Sequence, residues 1–156
     1  MVAYLERMPS GIPGDVTRRG NSKLEPVYLA VSTPYGTPLM LDASGEAVPA
    51  TDVAKIHGWL ARAYPTQSQT VAEHFGAGNA PAKTMQDSMR SGYISVRISS
   101  AEATKPVNGT PVKLVTAAAN GFAAGDLAVS EGGVIPGCTF LTEPDASGNV
   151  EIAFNI

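Results

Sequence analysis

Glycine and proline interrupt this chain so often that no segment can sustain a helix of more than about three turns. There are 16 glycines and 12 prolines among 156 residues, and the runs between them are short and apolar. Val27-Tyr-Leu-Ala-Val-Ser-Thr puts Val27, Leu29 and Val31 on one face, and Gly92-Tyr-Ile-Ser-Val-Arg-Ile-Ser turns Ile94, Val96 and Ile98 inward with Tyr93, Ser95 and Arg97 outward. Pro38-Leu-Met-Leu-Asp, Glu46-Ala-Val-Pro, Val112-Lys-Leu-Val-Thr, Leu127-Ala-Val and Thr139-Phe-Leu read as further strands. From Asn149 onward, Val150, Ile152, Phe154 and Ile156 share a face, which predicts a buried last residue. About nine such strands, with turns every 8 to 12 residues, predict an all-β fold, a small antiparallel β-barrel or sandwich. Parallel βαβ architecture is excluded, because nothing here can serve as a crossover helix.

The turns carry their own chemistry. Asp42-Ala-Ser-Gly45 places Asp first and Gly fourth, as a type I turn prefers, and the same tetrapeptide recurs as Asp145-Ala-Ser-Gly148 before the last strand. The flanking sequences do not align, so the repeat is one of turn chemistry. Asn108-Gly109 marks the apex of another turn. Between Thr51 and Tyr64 the pattern predicts a helical turn near Asp52 and then a strand from Ile56 to Ala63. Residues 65–86 are polar and small, with Phe75 the one large anchor, and read as a long loop within the domain.

The first 26 residues behave differently. Tyr4, Leu5, Met8 and Ile12 keep neither helical nor strand period, and Pro9, Gly11, Pro13, Gly14 and Gly20 break every attempt at one. Such a segment cannot bury its own apolar groups, so residues 1–26 read as an extended arm on a domain formed by residues 27–156. The arm holds Arg7, Arg18, Arg19 and Lys23 against Glu6, Asp15 and Glu25, a net of +1, which leaves −4 of the total −3 to the domain.

Little points to catalysis. Charged residues are 16% of the chain and its pI is near 5.3, the wrong balance for nucleic-acid binding as the main source of affinity. No apolar run approaches the roughly 20 residues of a membrane span, and nothing resembles a signal peptide. Cys138 is the single cysteine and sits in an apolar strand, as a buried hydrophobe would. His57 and His74 lie outside any metal-ligand spacing and read as structural residues. Gly76-Ala-Gly78 lacks the strand and third glycine of a phosphate loop, and Asp145-Ala-Ser-Gly-Asn-Val-Glu151 lacks the rest of a calcium loop. Asn108-Gly-Thr110 is formally a glycosylation acceptor and reads as a turn. Trp59, Tyr64 and Arg62 read as core first and as a recognition patch second. No cofactor is expected.

Three stretches carry a resemblance. Tyr4-Leu-Glu-Arg-Met-Pro-Ser-Gly-Ile-Pro-Gly-Asp-Val-Thr-Arg-Arg, Arg62-Ala-Tyr-Pro-Thr-Gln-Ser and Pro144-Asp-Ala-Ser-Gly-Asn-Val-Glu-Ile-Ala-Phe-Asn-Ile resemble the structural cement proteins that decorate the heads of tailed bacteriophages. The resemblance implies a non-enzymatic virion protein, assembled in the host cytoplasm, which binds the outer surface of an icosahedral head and bridges neighbouring major capsid protein subunits. It implies a homo-oligomer, dimer or trimer, and no nucleic-acid or membrane partner. Tyr4, Leu5, Met8 and Ile12 are then the apolar capsid anchors, and Arg7, Arg18 and Arg19 the polar ones. An arm of 26 residues would reach roughly 80 Å at about 3.3 Å per residue, and is expected to be largely disordered before assembly. The alternative reading is a host-surface or glycan-binding β-domain built on Trp59, Tyr64 and the long loop.

Overall fold

The computed structural model describes residues 11–62 and 78–156. The chain forms eleven strands: β1 (Lys23–Leu29), β2 (Thr33–Pro34), β3 (Pro38–Leu41), β4 (Ala47–Pro49), β5 (Gly58–Ala61), β6 (Asn79–Ala80), β7 (Thr84–Arg97), β8 (Pro111–Leu114), β9 (Leu127–Ala128), β10 (Gly133–Phe140) and β11 (Asn149–Phe154). The only helical pieces among the described residues are two single 3-10 turns, Arg19–Asn21 and Val53–Lys55. The fold is all-β, as the alternation predicts.

One strand organises the rest. The first half of β7 pairs with β1 on one edge, Leu29 opposite Thr84 through Lys23 opposite Ser91, and with β5 on the other. β5 continues through β3 to β4, and a single parallel contact between Leu29 and Ala47 brings β4 back to β1. These five strands close into a barrel, which removes sheet edges on that side. The second half of β7 leaves the barrel and pairs with β11, and the sheet runs on through β10 and β8 to β9. β7 therefore belongs to both layers, and its 14 residues tie them together.

Alternation along each strand then separates two cores. Inside the barrel, Leu29, Leu39, Ala47 and Leu60 are fully buried, with Val27, Tyr35 and Ala80 around them. The residues next to Leu60, Trp59 and Ala61, face outward and are covered by the open sheet, where they join Met89, Ile94, Val96, Phe140, Ile152 and Phe154. Trp59 meets the Phe154 ring edge-on at 6.1 Å and is fully buried. Cys138 lies in the same core, where burial pushes its thiol far above its ordinary range.

The two Asp-Ala-Ser-Gly turns have one geometry. Asp42 Oδ1 accepts from the amides of Ser44 and Glu46, and Asp145 Oδ1 accepts from those of Ser147 and Asn149. Gly45 and Gly148 close the turns at φ 81° and 79°, a region in which a side chain is strained. Asp52 caps the first turn after β4 by accepting from Ala54, and the strand that follows is shorter than Ile56 to Ala63. Tyr64 and the loop's Phe75 and His74 lie outside the described residues. The rest of the 65–86 segment is not all loop, since β6 and the start of β7 fall within it.

Three further expectations need correction. Val31 does not share the buried face of Val27 and Leu29 but is 45% exposed, because β1 ends at Leu29. Ile156 is 71% exposed, because Asn155 at φ 51° leaves the strand and breaks the alternation after Phe154. Ser95 is fully buried instead of outward, for a reason that lies in the arm.

Candidate functional site

The described part of the arm is attached to its own domain. Gly14 donates to the Ser95 carbonyl at 2.8 Å, Ser95 returns a bond to Asp15 at 2.8 Å, Val16 bridges Ile94, and Thr17 donates to Tyr93 at 3.1 Å. Residues 14–17 thus run antiparallel along the free edge of β7, continuing upstream the pairing that β1 makes with residues 84–91. The detour between the two stretches is the 3-10 turn at Arg19–Asn21, closed by Ser22 Oγ donating to the Arg18 carbonyl. This strap, with Tyr35 and Gly36 beside it, covers Ser95.

Gly14 is a tight point of this attachment. It is buried at φ 92°, and a Cβ there would lie 2.6 Å from the Tyr35 Cβ, so both conformation and space require glycine. Its carbonyl accepts from the Arg62 amide at 2.7 Å. The Arg62 guanidinium donates to the Pro13 carbonyl at 3.4 Å and lies 4.3 Å from the centre of the Tyr35 ring. Burial raises the Tyr35 phenol above its usual range, and the Arg62 charge partly offsets that.

A second fastening sits on β11. Glu151 Oε1 accepts from Thr17 Oγ1 at 2.5 Å and from Arg18 Nε at 3.3 Å, and Oε2 accepts from Arg18 Nη2 at 3.4 Å. The Glu151 side chain is only 11% exposed, while that of Arg18 is about half exposed and lies 4.3 Å over the Tyr93 ring. Of the residues expected to contact a capsid, Arg18 is therefore already engaged within the chain. Ile12 is 38% exposed, and Arg19 lies in the 3-10 turn. Tyr4, Leu5, Arg7 and Met8 fall outside the described residues. Glu151, Tyr93, Tyr35 and the Arg62 contacts were not anticipated. The one available signal was a charged residue at Glu151 between Val150 and Ile152.

The remaining candidates resolve into structure. His57 is packed against the Arg90 guanidinium, whose Nη1 is 2.6 Å from Nε2, with the Glu25 carboxylate 3.7 Å away. Burial lowers the His57 pKa, the Arg90 charge lowers it further, and Glu25 opposes both. Trp59, at full burial, cannot stack on a sugar. A cleft of about 1160 Å³ opens between Tyr35 and Pro38 of the barrel, Arg97 at the end of β7, and the loops carrying Lys105, Asp126 and Asp145. Its carboxylates are occupied: Asp126 accepts from Ser99 Oγ and the Ala123 amide, and Asp145 holds its own turn. Among the described residues no three metal-ligating side chains converge, and no helix is long and apolar enough to cross a membrane.

Fold and site together define a class: a small β-barrel with an appended open sheet and an N-terminal segment strapped along the strand both layers share. Residues 2–155 match the family described as structural cement protein (E217 gp24/Pam3 gp6), and the chain belongs to that family. It is also similar to a chain in the solved structure entitled "The capsid of Myoviridae Phage XM1", at 16% identity and a TM-score of 0.68, over 98% of this chain and 95% of that one. At that identity the likeness is one of fold. No curated protein matches the sequence.

Proposed function

We propose that the protein cements a phage head: it binds the outer surface of the icosahedral shell and stabilises it by bridging neighbouring major capsid protein subunits. The observation that carries this reading is the family match over nearly the whole chain. The fold neighbour from a phage capsid is consistent with it. The role is non-enzymatic and the protein resides on the virion exterior after assembly in the host cytoplasm, as a dimer or trimer and without nucleic-acid or membrane partners. Tyr4, Leu5, Met8 and Ile12 supply apolar contacts to the shell, and Arg7 and Arg19 supply polar ones, with Arg18 shared between shell and domain.

The physical basis is multivalency. Each molecule joins an arm contact to a domain contact, so the second forms at high effective concentration, and copies repeated by the symmetry of the head close a network against the pressure of packed DNA. Cosedimentation with expanded empty heads tests this. Full-length protein is expected to pellet with the shells of its own phage, and protein that stays in the supernatant would exclude the cement role.

A further inference from the structure

The structure assigns Glu151 a role no comparison gives it: it is the positioning residue that clamps the root of the arm to the domain and sets how much of the arm can reach a neighbour. The inference deepens the proposed function and rests on it only for its consequence at the shell.

Three strands meet at the clamp in register. Glu151 of β11 stands opposite Ser95 of β7, and Ser95 in turn exchanges backbone bonds with Gly14 and Asp15. The Glu151 amide is held by Thr142 Oγ1 at 3.0 Å, so the carboxylate projects from a fixed backbone. Its two oxygens receive three donors from Thr17 and Arg18, residues more than 130 positions away in sequence. A carboxylate this enclosed is stable only with such partners, since an unpaired charge would have to be desolvated without compensation. Arg18 fits as lysine could not, because its guanidinium presents Nε and Nη2 together to the two oxygens while its flat face covers Tyr93.

Load on the arm enters the domain at residues 14–17, whose backbone bonds at Gly14, Asp15 and Thr17 lie side by side along β7. Behind them stands the Glu151 contact. Upstream of the paired segment stand residues 1–13, with a contour of at most about 43 Å where a 26-residue arm would give roughly 80 Å.

Amide exchange on the isolated full-length protein, with Glu151→Gln beside wild type, tests the clamp without any shell. Expected in wild type is strong protection of Gly14, Thr17, Ser95 and Arg62, and in Glu151→Gln a roughly tenfold loss at Gly14 and Thr17, while the Leu141 amide, which donates to the Glu151 backbone carbonyl at 2.9 Å, is unchanged. Trypsin gives an independent reading: wild type resists cleavage after Arg18, whereas Glu151→Gln and Thr17→Val are cut there faster. Unprotected exchange at Gly14 and Thr17 in wild type would overturn the clamp, as would equal cleavage after Arg18 in all three proteins. Either failure leaves shell binding untouched, so the two readings fall separately.

Discussion

Gly14 and His57 sit in environments that make sharp demands on residue type. An alanine at Gly14 would place a side chain at φ 92° and drive its Cβ against Tyr35. Gly14→Ala is expected to cost about 2 kcal/mol in chemical denaturation, and to weaken the strap before it weakens the barrel. At His57 the folded state favours the neutral ring, because burial and Arg90 lower its pKa below 6.5 against the pull of Glu25. The unfolded chain therefore binds more protons in the window just below that value, so stability rises with pH there. His57 contributes fully above the unfolded pKa, and its contribution is lost as pH falls toward the folded one. Denaturation midpoints at about pH 7.5 and 5.5 should separate more for wild type than for His57→Gln, and an equal separation would remove His57 from the account. Neither demand was legible in the sequence. Gly14 is one of several glycines in a segment without period, and the partners of His57 lie on β1 and β7, far away along the chain.

At the scale of elements, local chemistry was legible and long-range pairing was not. Asp42 and Asp145 could be read as turn residues because a four-residue turn contains all its own interactions, and the two turns repeat the same bonds. Asp145→Ala is expected to lose about 1 to 2 kcal/mol through two orphaned amides, and Asp42→Ala a similar amount, measured against the parent by urea unfolding. The alternation of Ile94, Val96 and Ile98 gave the inner face of β7, since burial there follows the period of the strand. The outer face misled at Ser95, because what covers it is a segment some 80 positions upstream, a contact no local pattern encodes. The same holds for the strap, since an aperiodic segment can still supply backbone donors and acceptors to a free strand edge. The arm is consequently two elements in mechanical terms. Removing residues 1–18 should lower the melting temperature by several degrees, because it exposes Ser95 and orphans Glu151.

As a whole molecule, the protein is a barrel and an open sheet fastened by one shared strand, with the arm's root clamped along it. The all-β class could be inferred from the sequence, because breakers and alternation act over short range. Closure of the barrel through Leu29 and Ala47 could not be inferred, because it depends on one contact between strands far from any shared turn. In the proposed cementing role, load on the arm would enter the domain at this root, along β7. The central claim is that the molecule bridges capsid subunits from outside, and imaging of its own phage's heads, with and without the protein, addresses it most directly. Expected is added density on the outer surface that crosses the boundary between neighbouring major capsid subunits. Density confined within a single subunit, or none on the outer surface, would contradict it.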